Sequence, residues 1–210
     1  DLDGDGVETT RLSQSDIYFD IDGDFFGEKT AWVDSDDGIL ALDFNGNGVI
    51  DDISELFGGV GELGLDQLAA LDSNSDGVID ENDVRYDDLL VWRDFSQDGV
   101  SDDGELSTLA ELGIASLGLT GTPQGEEGQG RQTPTENTIL SEASFTRTDG
   151  STGTLAEVIL QSDDIDTLYR GDNGVADWAA RLSATDAATI GIAGTPGIID
   201  MRGYGELTNL

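Results

Sequence analysis

The chain has 210 residues and a formal net charge of −36, from 45 acidic against 9 basic side chains. Such a surface repels nucleic-acid phosphates and anionic lipids and attracts cations. With neither Cys nor His present, thiol nucleophiles, disulfides, zinc fingers and histidine general bases are excluded. The hydrophobic fraction of 37% is low but sufficient for a core, so self-repulsion must be neutralised before the chain can compact. No apolar run approaches a membrane span and no signal peptide opens the chain. Its start in mid-motif leads us to expect a piece of a longer polypeptide.

The first element is an Asp-rich run, Asp1-Leu-Asp3-Gly-Asp5-Gly6. The segment DIYFDID then reads as a strand and feeds a second run, Asp20-Ile-Asp22-Gly-Asp24, with Glu28 available as a ninth position. GILALDF reads as another strand and enters a third, Asp43-Phe-Asn45-Gly-Asn47-Gly48. LDQLAAL, residues 65–71, reads as a helix before the fourth run, Asp72-Ser-Asn74-Ser-Asp76-Gly77. DVRYDDLLVWR, residues 83–93, reads as a helix shared with the fifth run, Asp94-Phe-Ser96-Gln-Asp98-Gly99, and ELSTLAELGI, residues 105–114, as the helix that follows.

An EF-hand loop supplies oxygens from positions 1, 3, 5, 7, 9 and 12, with glycine at 6. The fifth run fills every slot: Asp94, Ser96, Asp98, the Val100 carbonyl, Asp102 and Glu105. The fourth offers Asp72, Asn74, Asp76, the Val78 carbonyl, Asp80 and Asp83. The third offers Asp43, Asn45, Asn47, the Val49 carbonyl and Asp51, with Glu55 one place beyond the twelfth. Runs one and two have Leu12 and Ala31 at position 12, so their shells need distant donors. The DSDDG stretch, with Asp36 and Asp37, is the candidate. Acidic, solvated turns are the bland alternative, since Asp-Gly and Asn-Gly are turn formers. Two complete loops 22 residues apart favour metal over that alternative. Oxygen-only ligands select calcium, about three to five ions, with magnesium second.

Residues 120–137, rich in Gly, Pro, Gln and Thr, read as a long mobile loop. TILSEASFTRT and STGTLAEVIL flank Asp149-Gly150, a hairpin signal. VADWAARLS reads as a short helix, and Arg202 and Tyr204 lie close together in the tail. The GxGxxG match at Gly59, Gly61 and Gly64 lacks a βαβ context and reads as a flexible turn. The expected fold class is α+β: one calcium-loop-rich domain with EF-hand- or dockerin-like loops, short helices and a β-hairpin portion. Its parts are a calcium-binding region over 1–118, a mobile loop over 119–138, and a hairpin with C-terminal segment over 139–210.

The segments DLDGDGVETT, YFDIDGD, AWVDSDDGILALDFNGNGVIDDISELFG, LAALDSNSDGVID, LLVWRDFSQDGVSDDGELSTLAELGI and FTRTDGS together resemble one family. They are similar to the calcium-dependent self-processing modules of iron-regulated RTX proteins and to related regions of giant RTX adhesins. The resemblance covers roughly residues 1–160. It implies that calcium folds the module, that an Asp-Pro bond just upstream is cleaved, and that the freed Asp can be joined to a lysine. No Asp-Pro occurs here: Pro123, Pro134 and Pro196 all follow threonine. The tail MRGYGELTNL resembles the adhesin versions, some of which grip partner proteins by their C-termini.

The expectation favoured is therefore a calcium-dependent peptide- or protein-binding module of a secreted, cell-surface adhesin, monomeric within a larger chain. Arg202 would clamp a carboxylate and Tyr204 would supply a flat wall. No nucleic-acid partner and no membrane insertion are expected, and no catalytic residue is assigned. The alternatives are a self-processing module whose cleavage site lies outside this sequence, and a structural extender stiffened by calcium.

Overall fold

Leu89, Leu90, Val91 and Trp92 do not lie on one face. Leu89 and Val91 enter one hydrophobic cluster, while Trp92 enters another against which Leu90 packs. That is a period of two, and it makes Leu90–Trp92 a strand where a helix was expected. In the computed structural model, which describes residues 1–59, 61–126 and 129–169, this pattern prevails. The described residues lie within the compact unit Asp1–Gly171.

The strands in chain order are β1 (Tyr18–Phe19), β2 (Phe26–Thr30), β3 (Ile39–Ala41), β4 (Val78–Asp80), β5 (Leu90–Trp92) and β6 (Leu106–Thr108). They continue with β7 (Ile114–Gly118), β8 (Thr122–Pro123), β9 (Arg131–Gln132), β10 (Thr138–Arg147), β11 (Thr152–Ile159) and β12 (Ser162–Tyr169). Among the described residues the sole α-helix is α1 (Gly64–Ala69), with three 3-10 turns. The α+β expectation is thus overturned: the described chain is nearly all β.

Two of the three predicted helices before the hairpin are replaced by strands and single turns, because their apolar side chains serve two clusters. Residues 83–93 contain a single 3-10 turn, Tyr86–Asp88, before β5. Residues 105–114 begin as β6, which pairs with β5, and then make one turn that Gly113 ends at φ 65°. Leu106 and Leu109 belong to opposite clusters, so no single helical stripe exists. The shared helix between the fourth and fifth runs is therefore absent. Helix α1 overlaps the predicted LDQLAAL segment, starting one residue earlier, at Gly64, and ending two residues sooner.

Three antiparallel sheets result, ordered β1-β2-β12, β3-β5-β6 and β11-β10-β7-β4. Strand β10 organises the largest. β11 covers one edge through the predicted hairpin, and β9, β8 and β7 pair in succession along the other. Thus residues 120–137 contribute two short strands. Gly150 closes the hairpin at φ 86° and donates its N–H to the Arg147 carbonyl at 2.9 Å. One cluster gathers Leu68, Ile79, Leu89, Val91, Leu117 and Phe145. The other centres on Trp32 and Trp92, edge to face with centroids 5.4 Å apart, with Phe19 beside both. Strand β5 separates them. Gly38 packs so closely there that a Cβ would collide with Val91. Among the described residues no helix is long and apolar enough to cross a membrane.

Candidate functional site

The five Asp-rich runs share one backbone design, and it starts at their first carboxylate. Asp72 accepts N–H bonds from Ser75 (2.7 Å), Asp76 (3.3 Å) and Gly77 (2.9 Å). Asp43 accepts from Gly46, Asn47 and Gly48, and Asp20 from Gly23, Asp24 and Phe25. Asp94 accepts from Asp98 and Gly99, and Asp1 from Gly4. To aim these N–H groups inward, positions 4 and 6 adopt left-handed φ in every run. Glycine fills most of these positions, while Ser75 (φ 62°), Gln97 (φ 55°) and Phe25 (φ 77°) accept the strain. Position-5 side chains then cap position 7: Asn47, Asp76 and Asp98 accept the N–H groups of Val49, Val78 and Val100 at 2.9, 3.1 and 2.9 Å.

A second, buried carboxylate closes each loop. Glu105 accepts from Ser96 N–H (3.0 Å), Asp102 N–H (3.2 Å) and the Trp92 indole (3.2 Å). Asp83 accepts from Ser73 N–H (2.7 Å), the Ser73 hydroxyl and Asp80 N–H (3.0 Å). Glu55, one residue late, reaches the same places: Phe44 N–H at 3.2 Å and Asp51 N–H at 3.0 Å. Glu28 accepts from Ile21 N–H at 3.1 Å. In the first run Asp37 takes this role, accepting from Leu2 N–H at 3.0 Å and Glu8 N–H at 2.9 Å. The carboxyl oxygens of Asp1, Asp3 and Asp37 lie within 4.8 Å of one another, as do those of Asp20, Asp22 and Glu28. Asp36 stays exposed and outside that grouping, and Asp5 and Asp24 are exposed at their loop rims.

This arrangement buries charge with no Lys or Arg side chain as partner among the described residues. Asp20, Glu28, Asp37, Glu55, Asp83, Asp94 and Glu105 are all buried. The Lys and Arg ion pairs among the described residues are Arg11–Glu136, Arg85–Asp88 and Arg131–Glu142, which use none of them. Asp37 has the N-terminal amine at 3.5 Å. Burial pushes the Glu55 carboxyl up to about 7, against the pull of N–H bonds from Asp51 and Asn45. Burial raises Asp20 and Glu28 as well, whereas the Asp80 N–H bond holds Asp83 below its ordinary value. Buried carboxylates of this kind are costly unless a charge answers them. Oxygen-only donor sets such as these suit a hard divalent cation rather than a soft one.

The loops also touch through position 8. Ile50, in the third, donates its N–H to the Ser101 hydroxyl of the fifth at 2.7 Å. Both residues are buried. Ile79, at the same position of the fourth, pairs with Leu117 of β7. The third and fifth runs are therefore the joined pair, rather than the fourth and fifth. Trp92 and Ser73, which donate to closing acids, and Ser101, which joins two loops, were not anticipated. The signal for Ser101 was its register, eighth from Asp94, as Ile50 is from Asp43. Arg202, Tyr204 and the VADWAARLS segment lie outside the described residues.

Comparison with known proteins agrees with this picture. The chain is 36% identical over 224 aligned positions to "Iron-regulated protein FrpA" of Neisseria meningitidis serogroup C, covering all of this chain and 19% of that protein. It thus spans about a fifth of the relative's length. A family model described as the SPM domain matches residues 1–161, the stretch that carries the five loops, strands β1 to β11 and the β10–β11 hairpin. The chain belongs to the SPM domain family, a family of self-processing modules.

Proposed function

We propose that these residues form a calcium-assembled self-processing module of a secreted RTX-type protein. One observation carries the reading: seven carboxylates are buried, at the first or closing position of the five loops, with no Lys or Arg side chain paired to them among the described residues. Bound calcium supplies the missing positive charge, at about three to five sites. Asp94, Ser96, Asp98, Val100, Asp102 and Glu105 are the fullest set, Asp20, Asp22 and Glu28 a second local set, and Asp1, Asp3 and Asp37 the set made by tertiary folding. Folding is then coupled to calcium, which is abundant outside cells and scarce inside.

The bond acted on is not within this sequence, which contains no Asp-Pro. In a longer chain, an Asp-Pro bond just before Asp1 would enter the first loop directly. Its Asp carboxyl would attack its own peptide carbonyl, and the proline nitrogen would leave. The test is a chain extended upstream through such a bond, with calcium added to the purified protein. Two fragments on a gel support the module, and an intact chain that is folded and calcium-saturated refutes it.

A second reading, favoured by the likeness of the tail MRGYGELTNL to adhesin versions, is the ligand-binding module of an adhesin that recognises a peptide or protein C-terminus through Arg202 and Tyr204. It predicts no fragments, but calcium-dependent capture of C-terminal peptides that Arg202→Ala abolishes.

A further inference from the structure

The third loop differs from the others in the chemistry of its amides. Asn45-Gly46 and Asn47-Gly48 are the two Asn-Gly pairs among the described residues, and they stand back to back. Glycine has no Cβ to keep its nitrogen away from the preceding side chain. The Gly nitrogen can therefore attack the Asn Cγ. A bond forms between them, the Cγ–Nδ2 bond breaks, and ammonia leaves with the proton from the glycine nitrogen. Water then opens the resulting five-membered imide at either carbonyl, giving aspartate or isoaspartate. All four residues are exposed.

The folded loop opposes both halves of that reaction. The two attacking nitrogens are tied to one carboxylate: Gly46 N–H donates to Asp43 Oδ1 at 2.7 Å, and Gly48 N–H to Asp43 Oδ2 at 2.9 Å. Removing either proton would place an amide anion against that carboxylate. The two Asn side chains are also held. Asn45 Oδ1 accepts from Asn47 N–H and Asn47 Oδ1 from Val49 N–H, both at 2.9 Å, while Asn47 Nδ2 donates to Asp51 Oδ2 at 3.0 Å.

We propose that Asn45 and Asn47 are paired deamidation sites that the ordered third loop shields through Asp43. Hydrolysis to aspartate adds one negative charge per site and gives Asp-Phe-Asp-Gly-Asp-Gly, the pattern of the first run, Asp1-Leu-Asp3-Gly-Asp5-Gly6. Hydrolysis to isoaspartate inserts a methylene into the backbone and pulls the loop out of register with Glu55. The shielding rests on the loop's own hydrogen bonds, so it stands whether or not the calcium reading holds.

The experiment incubates the 210-residue chain at mildly alkaline pH, folded and in urea, and maps deamidation by mass spectrometry with isoaspartate labelling. In urea, Asn45 and Asn47 should convert at least about tenfold faster than Asn74, Asn82 and Asn137, which precede residues with a Cβ. Folding should slow the two sites by about tenfold or more, the worth of the hydrogen bond each glycine nitrogen makes. Asp43→Ala should return most of the urea rate. Equal rates for all Asn in urea would overturn the site assignment. A folded rate equal to the urea rate, or a folded Asp43→Ala chain as slow as the parent, would overturn the shielding. If Asp43→Ala does not fold, hydrogen exchange of the Gly46 and Gly48 amides across a urea series decides. Deamidation tracking their opening supports the proposal, and fast deamidation with both amides protected refutes it.

Discussion

The fifth and first loops carry the same bonding scheme, yet they close in different ways. In the fifth, Asp94 and Glu105 belong to one short stretch and both are buried. In the first, the closing acid, Asp37, is contributed from 35 residues beyond Leu2, and Asp3 and Asp5 are exposed. Bringing the more distant acid into place costs about 1 kcal/mol more in loop-closure entropy, if the intervening chain were otherwise unstructured. A locally closed loop draws its closing acid from its own stretch; the first draws Asp37, two residues before β3, to the N–H groups of Leu2 and Glu8. The difference separates a site whose parts are contiguous from one that needs the finished fold.

Chelation is the harshest way to break that contrast. The calcium proposal predicts here its largest effect, loss of cooperative structure throughout when calcium is removed, restored by millimolar calcium on the order of extracellular levels. Circular dichroism and thermal melts with and without EDTA check this, and unchanged melts would remove calcium from the account. Before global unfolding, amide exchange should open at Leu2 and Glu8 earlier than at Ser96 and Asp102.

Single closing acids come next. Glu105→Ala leaves the N–H groups of Ser96 and Asp102 and the Trp92 indole without their acceptor. It should cost about 3 kcal/mol or more and lower the melting midpoint of the whole unit. Asp37→Ala strands two N–H groups at the chain's edge. About 2 kcal/mol is expected, with the exchange changes confined to residues near the first loop. If the two substitutions give the same exchange pattern, the distinction between local and tertiary closure fails.

A smaller effect should appear as a pH slope. Glu55 is raised from 4.5 to about 7 by burial. Between those values it is protonated when folded and ionised when unfolded, so the unfolded state binds fewer protons and stability falls as pH rises through that window. Calcium-free protein held folded by an osmolyte should show this fall, and Glu55→Gln should flatten it. A stability that rises over the same window in parent and variant alike would show that other carboxylates dominate. Smallest of all, Ser101→Ala removes the hydroxyl that accepts the Ile50 N–H. It should cost about 1 kcal/mol and make calcium binding by the third and fifth loops less cooperative in calorimetry.

Much of the candidate site was legible in the residues, because the hydrogen-bonding pattern of every loop but the first is closed within a few residues. Spacing alone located Asp72 to Asp83 and Asp94 to Glu105, and marked the DSDDG stretch as the donor for the first two runs; Asp37 of that stretch lies at the first, while Glu28 closes the second. Positions 4 and 6 are mostly glycine because the carboxylate needs inward N–H groups, and that demand is written in the loop itself. The hairpin at Asp149-Gly150 was legible for the same reason.

The flanking elements were not. Residues 83–93 and 105–114 contain good helix formers, but their apolar side chains face two different clusters, and nothing in a single stretch says that two cores exist. Once Trp32 and Trp92 pack on one side of β5 and the Leu68–Phe145 cluster on the other, period two wins over helix propensity. The sequence by itself determined where oxygen ligands gather and how the loops turn, since hydrogen bonds over a few residues decide both. Only the tertiary structure decided that Asp37 closes the first loop, that Ile50 and Ser101 join the third to the fifth, and that strands flank the loops. Those depend on which surfaces are buried together, and burial is a property of the whole fold.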